Sequence, residues 1–358
     1  MSTSKDTRAR RRDRVRRALK KHGLDGLVIT HAANRYYLSG FELHDPQCNE
    51  SAGLLLLTAA GTDWLITDSR YLEAAQGLWP KENIFLRSPS KTGELKKFLR
   101  AKCPGTLGFE PESVSVKLHA ELSRNQDLKP VSGLVESLRA LKDESEIRAM
   151  RRSCKVNHKV FARIESKLVP GVSEKKLAWE TEKLFRTQGA SELAFPSIVA
   201  VGGNAAMPHA LPGDTKVTDN CLALLDLGGR VDNYCSDQTR TFWVGDKPTD
   251  RFKRTLDQVK KAQKKAVDAI RPGLPMKQAA LAALKHFEEH GVARHFTHGL
   301  GHGVGLETHE APRFNHKARG RFKPGMVVTV EPGLYFPGWG GVRWEHMVLV
   351  TGDGCEVL

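Results

Sequence analysis

The chain has 358 residues, 40% of them hydrophobic and 27% charged, and a formal net charge of +15. That length exceeds one ordinary hydrophobic core and fits two domains of roughly 100–200 residues each. No apolar run reaches the ~18 residues that a membrane helix needs, which excludes an integral helical membrane protein.

The N-terminal stretch MSTSKDTRARRRDRVRRALKKHG is basic but lacks the apolar core, roughly 7–15 residues, of a secretory signal. A cytoplasmic protein is the expectation, and an Arg-rich organelle-targeting start the weaker one. Residues 1–21 hold ten Lys/Arg against Asp6 and Asp13, a local charge of +8 and over half the total excess. The net charge therefore reports one segment rather than a basic surface. Val15, Ala18 and Leu19 fall on one helix face that Gly23 stops, so the expected element is a solvated first helix with a frayed basic tail, with RNA or membrane-surface binding as the alternative.

Short apolar runs follow at 26–30, 53–59, 63–67 and 83–86, and an amphipathic pattern at 92–102, together a complete α/β domain. A long helical pattern over 136–168 begins after a polar break, with Asp143 or Ser145 as its N-cap. The domain boundary is placed near 135–142, giving domains of 1–138 and 139–358. Cys48, Cys103, Cys154, Cys221, Cys235 and Cys355 are scattered, without a CxxC pair, and are expected to be reduced thiols.

The second part contains a duplication. Residues 169–189 and 271–291 both run Pro-Gly, turn, amphipathic helix, Gly, with Pro170 and Pro272, and Gly189 and Gly291, each 102 positions apart. Each helix leads into apolar strands that end in carboxylates, so two half-domains are expected to face each other across a pseudo-twofold axis.

Two hairpin patterns carry those carboxylates. In CLALLDLGGRVDNYCSDQTRTFWVG (221–245) the midpoint is placed between Val231 and Asp232, which makes Asp226 and Asp237 near cross-strand partners. In MVVTVEPGLYFPGWGGVRWEHMVLV (326–350) Glu331 and Glu345 are symmetric about Gly338. Like charges directly opposite on antiparallel strands are destabilising, and burying four anions together costs many kcal/mol unless a counter-charge is present. Four carboxylates with one imidazole suit two divalent ions. The stretch HGLGHGVGLETHE (298–310) offers His298, His302 and His309, and His302 is singled out because glycines on both sides let its backbone approach a crowded centre.

In order and spacing these segments resemble the pita-bread metallopeptidases, that is, the prolidases, the Xaa-Pro aminopeptidases and, more distantly, the methionine aminopeptidases. NRYYLSGF (34–41), DSRYLEAA (68–75) and LGFE (107–110) resemble the creatinase-type N-terminal domain that the first two carry. The resemblance implies an α+β pita-bread catalytic domain behind a smaller α/β domain, and a homodimer. It implies metal ligation by Asp226, Asp237, His302, Glu331 and Glu345, with two divalent ions per subunit, Mn²⁺ first and Co²⁺ or Zn²⁺ as alternatives. Glu331 is then the general base toward the attacking water. His209 and His309 match histidines that bind substrate and stabilise the transition state, and His298 a further histidine lining the pocket. Arg343, two residues before Glu345, is expected to orient the Asp226 carboxylate. His346 stands where the family commonly has an acidic residue, and strand alternation points it away from the metals.

The implied activity is hydrolysis of the Xaa-Pro bond at the N-terminus of peptides or dipeptides. Arg313 sits where some prolidases neutralise the proline carboxylate of a dipeptide. Similar arginines occur in aminopeptidases, so dipeptidase and aminopeptidase both stay open. Creatinase, which works without metals, has no need of the aspartates kept here. A non-catalytic relative that binds nucleic acid through the basic N-terminus is the remaining alternative, disfavoured by the intact carboxylates.

Overall fold

The structure is a computed structural model that describes residues 4–47, 50–88, 93–123 and 126–358; Cys48 and Thr92 of the expectations above lie outside them. The chain divides into two compact units, Met1–Arg139 and Ala140–Leu358. No helix among the described residues is long and apolar enough to cross a membrane.

The first unit runs α1 (Ser4–Lys21), β1 (Gly26–Ile29), α2 (Ala32–Ser39), β2 (Gly53–Thr58), β3 (Trp64–Thr67), α3 (Leu72–Leu78), β4 (Ile84–Leu86), α4 (Glu94–Lys102), β5 (Leu107–Phe109), α5 (Val116–Ser123), β6 (Leu128–Pro130) and α6 (Leu134–Arg139). Its six strands form one mixed sheet in the order β4-β3-β2-β1-β5-β6. β1 and β2 are buried on both faces, which is why they read as unbroken apolar runs. The expected frayed tail is corrected here. α1 already begins at Ser4, Val15 and Leu19 are buried as their shared face implies, and Arg11, Arg12 and Arg16 have partners. Arg11 and Arg12 donate to the carbonyl oxygens of Tyr37 and Leu38 at 3.2 and 2.8 Å, and Arg12 and Arg16 both pair with the buried Asp63.

The second unit opens with α7 (Glu144–Ile164), whose N-cap is Asp143. The Asp143 side chain accepts from the Ser145 and Glu146 amides, and Glu146 accepts in return from the Asp143 amide at 3.0 Å. This cap is why the long helical pattern breaks between α6 and α7. There follow α8 (Glu174–Thr187), β7 (Glu192–Leu193), β8 (Ile198–Val201), β9 (Cys221–Leu227), β10 (Gly229–Val231), β11 (Tyr234–Cys235) and β12 (Gln238–Val244). The second half runs α9 (Asp250–Ala269), α10 (Met276–Glu289), β13 (Gly301–Gly303), β14 (Glu310–Phe314), β15 (Val327–Val330), β16 (Gly333–Phe336), β17 (Gly340–Arg343), β18 (His346–Val350) and β19 (Cys355–Val357).

The duplication is visible in the structure. α8 and α10 are both 14 residues long. Each is anchored at its Pro-Gly turn by a glycine amide, Gly171 donating to the Val217 oxygen at 2.8 Å and Gly273 to the Phe322 oxygen at 2.9 Å. Each half then supplies a three-strand array, β12-β9-β8 in the first and β13-β15-β18 within the five-stranded sheet of the second. Apolar cores fill the space between helices and sheets: Leu177, Phe185, Ala223 and Leu225 in one, Ala279, Ala283, Phe287, Val328 and Val348 in the other.

The first hairpin differs from expectation by two residues in register. Asp226 faces Thr239, not Asp237, because the turn is centred between Asp232 and Asn233, whose φ values are 50° and 69°. Two left-handed residues in a two-residue loop are the hairpin geometry that matches strand twist, and Asp-Asn supplies them. Asp237 is thus a diagonal neighbour of Asp226 on the same face.

Candidate metal centre

Glu331 and Glu345 remain symmetric about Gly338, but they sit at a break in the hairpin. The ladder pairs Val330 with His346 and resumes at Gly333 with Arg343. Between those pairs the glutamate amides turn to other strands. Glu331 N donates to the Leu300 oxygen at 2.9 Å, and Glu345 N to the Thr239 oxygen at 3.2 Å. Because buried amides must be paired, this exchange ties the glutamates to the strand ends that carry His302 and Asp237.

His302 occupies the middle of β13. A methyl group added at Gly301 would collide with the Thr329 carbonyl oxygen, and one at Gly303 with that of Ala311. Only glycines let β13 lie this close to its neighbours. The His302 Nδ1–H donates to the Gly303 oxygen at 3.1 Å, which leaves the Nε2 lone pair facing Glu331 Oε1 at 3.2 Å and Asp237 Oδ2 at 3.7 Å. A lone pair aimed at two carboxylates is repulsive unless a proton or a cation lies between them. Asp237, His302 and Glu345 each present a ligand atom within 4.8 Å of the others.

The rest of the cluster makes the same demand. Asp226, Asp237 and Glu345 are buried, and the side chain of Glu331 is 17% exposed. Among the described residues, the guanidinium bonded to a side-chain carboxylate of the set is that of Arg343, with Nη2 2.7 Å from Asp226 Oδ2. Asp226 Oδ1 is buried without a hydrogen-bond partner. Burial, reinforced by the neighbouring carboxylates, pushes the Asp237 and Glu345 carboxyls well above their ordinary range. Asp226 is raised by burial despite Arg343. Burial acts the same way on Glu331, but its bond to His302 and the charges of His302, His298 and Arg343 outweigh it and bring Glu331 to about 2. His302 rises for the reciprocal reason, against burial. Four carboxylates against one permanent cation, an orphaned carboxylate oxygen and an inward lone pair fit divalent metal in both number and donor type.

Three supporting residues went unforeseen. Thr239 Oγ1 accepts from Arg343 Nε at 2.9 Å and donates to Glu345 Oε2 at 2.7 Å. In the other half Thr329 Oγ1 accepts from the His302 amide at 3.0 Å and donates to Glu331 Oε1 at 3.0 Å. Each threonine lies two positions along the chain from a carboxylate of the set, so strand alternation was the available signal. Tyr335 OH accepts from Arg343 Nη1 at 2.8 Å and lies 2.9 Å from His298 Nε2, to which it donates.

All ten residues singled out in the sequence border one cavity of about 570 Å³. His309 stacks edge-on against His302, with ring centroids 4.3 Å apart. His209 is exposed on the loop whose Pro208 oxygen accepts from Arg343 Nη1 at 3.2 Å. His298 has both ring nitrogens engaged, by Tyr335 and by the Gly299 oxygen. Arg313 pairs in register with His302 across β13 and β14, so its exposed side chain leaves on the same face. Phe195, Pro196, Ile198 and Leu211 give the cavity an apolar wall. His346 turns away: Nε2 is 2.9 Å from Arg240 Nη2 and Nδ1 2.9 Å from the Gln263 amide, and burial with the Arg240 charge lowers it to about 3.

Residues 148–352 match the model of metallopeptidase family M24, and residues 11–141 that of the creatinase/prolidase N-terminal domain. An Xaa-Pro dipeptidase of Pyrococcus horikoshii is 32% identical over 95% of this chain and 94% of its own length. Among solved structures, an Xaa-Pro dipeptidase from Bacillus anthracis superposes with a TM-score of 0.90 at 34% identity, covering 98% of this chain and 97% of that one. An X-Pro aminopeptidase from Thermotoga maritima superposes with a TM-score of 0.82 at 30% identity, covering 95% and 97%.

Proposed function

The chain belongs to metallopeptidase family M24, with a creatinase/prolidase domain ahead of its pita-bread peptidase domain, and we propose that it cleaves the Xaa-Pro bond at the N-terminus of short peptides, dipeptides included. The observation that carries this reading is the convergence of Asp226, Asp237, Glu331, Glu345 and the His302 lone pair around one guanidinium. We assign those five residues as ligands of two divalent ions, with Mn²⁺ favoured by the carboxylate-rich donor set. Bound there, the ions would supply Lewis acidity toward the scissile carbonyl and acidify the attacking water.

The chain's own groups do the rest in this scheme. Glu331 has the most exposed side chain among the four carboxylates, 17% against 12% for Asp226 and 5% for Asp237, and accepts the proton of the attacking water. Arg343 and Thr239 hold Asp226 and Glu345 in place. His209 and His309, on the cavity rim, donate to the substrate carbonyl as it gains charge. The apolar wall of Phe195, Pro196, Ile198 and Leu211 excludes water and accepts the substrate's apolar groups. Arg313 meets a carboxylate on the product side. The similar proteins include both a dipeptidase and an aminopeptidase, and the chain is proposed to accept dipeptides through Arg313.

The alternative of nucleic-acid binding through the N-terminus loses its motive, since Arg11, Arg12 and Arg16 are committed within their own unit. The test is hydrolysis of Xaa-Pro dipeptides and Xaa-Pro-Yaa tripeptides after chelation and after return of Mn²⁺, Co²⁺ or Zn²⁺. Undiminished activity in exhaustively demetallated protein would refute the reading.

A further inference from the structure

Among the described residues, two groups of three or more metal-type donors converge: the cleft set of Asp237, His302 and Glu345, and a second set of His286, Glu289 and His290 at the end of α10. The spacing i, i+3, i+4 places all three on one helix face. Their ligand atoms lie within 4.8 Å of one another, and the two imidazole centroids are 4.5 Å apart.

His286 is the anomaly of the pair. It is 3% exposed, yet neither ring nitrogen has a hydrogen-bond partner. Buried polar atoms are ordinarily satisfied, and leaving one unpaired is destabilising. His290 is prepared differently. Its Nδ1–H donates to the His286 carbonyl oxygen at 2.7 Å, which fixes the tautomer and leaves Nε2 as a free lone pair. Glu289 and His290 are exposed, so an ion has access from solvent. His290 is also the C-cap of α10, where the helix dipole is negative and favours a cation.

We propose that His286, Glu289 and His290 form a further metal site, separate from the cleft, for a borderline divalent ion such as Zn²⁺, Ni²⁺ or Cu²⁺. Two imidazoles and one carboxylate suit those ions better than Mg²⁺ or Ca²⁺, and leave one coordination position to water. The ion gives the buried His286 nitrogen its missing partner and clamps the last turn of α10. The competing occupant is the Lys265 ammonium, 3.6 Å from Glu289 Oε2 on the neighbouring helix α9. The site needs neither the cleft ligands nor the assigned activity.

The test counts ions. Chelator-treated full-length protein, wild type and His290→Ala, is dialysed against micromolar Zn²⁺ and analysed for metal, with calorimetric titration alongside. The wild type should hold one Zn²⁺ per chain more than the variant, while peptidase activity stays equal, because His290 is exposed and does not line the cleft. Lys265→Ala should tighten that extra ion by about two- to fivefold by removing an exposed competing charge. Because the readout is a difference between two proteins with the same cleft, it holds even if the cleft takes no ions. Equal Zn²⁺ content in wild type and His290→Ala would overturn the proposal, as would an extra ion that survives both His290→Ala and Glu289→Gln.

Discussion

Arg343 holds Asp226 by a single oxygen: Nη2 lies 2.7 Å from Oδ2, while Oδ1 stays buried and unpaired. The same guanidinium bonds Thr239, Tyr335 and the Pro208 carbonyl, so one side chain links Asp226, through Thr239, to Glu345 and reaches the loop that carries His209. Arg343→Lys keeps the charge but loses the fork that makes these bonds together. A ten- to hundredfold fall in metal affinity or kcat, about the usual effect of losing such support, is expected. Unchanged metal affinity and kcat would show that the carboxylates are positioned without it.

Glu331→Gln should nearly abolish turnover in a protein that stays folded. It removes the proposed base, worth on the order of 100- to 10,000-fold, and one anionic ligand. The amide can still accept from Thr329 Oγ1, so the local fold has little reason to change. Circular dichroism and thermal melting would establish folding, and wild-type kcat in such a protein would refute the assignment.

How far these residues were legible depended on what positioned them. The symmetric placement of Glu331 and Glu345 could be read because Gly338 marks the hairpin centre and the intervening residues count evenly. Asp226 and Asp237 were placed two residues out of register, although the Asp232-Asn233 dipeptide is itself a signal for a two-residue left-handed turn. Arg11, Arg12 and Arg16 read as solvated because their partners Tyr37, Leu38 and Asp63 lie far along the chain, where helical periodicity carries no information. Thr239, Thr329 and Tyr335 were missed for a related reason. A hydroxyl in an apolar strand looks like an ordinary β-former, and only the tertiary fold shows what it bonds.

The raised carboxyls predict how metal and pH act together on stability. Asp237 and Glu345 have folded pKa values above their unfolded values of about 4. In the metal-free protein their contribution to stability is present below the unfolded pKa and lost as pH rises through the folded one. His302, also raised, has the same sign, and Glu331, lowered, the opposite. Divalent ions favour the ionised carboxylates and should cancel the loss. The rise in melting temperature on adding Mn²⁺ to demetallated protein should therefore grow between about pH 4.5 and pH 7.5. Glu345→Gln should melt no lower than wild type without metal at pH 7.5 and should lose most of the Mn²⁺-induced shift. A shift independent of pH would mean that the carboxylates are not held against their charge.

The proposed role of Arg313 predicts a dependence on substrate length. It stands opposite His302 in the β13–β14 register, borders the cleft and has no carboxylate partner among the described residues. A dipeptide's carboxylate lies one residue closer to the scissile bond than that of a tripeptide, so in the proposed binding mode the dipeptide alone brings its charge to this guanidinium. A charge-assisted pair formed there is worth roughly 1.5–3 kcal/mol, or about ten- to a hundredfold in kcat/KM, whereas a solvated arginine contributes almost nothing. Arg313→Ala should therefore lower kcat/KM for Xaa-Pro by that factor and for Xaa-Pro-Yaa by much less. Equal losses for both lengths would make Arg313 a general support of the cleft, and no loss for either would leave it an exposed strand cation.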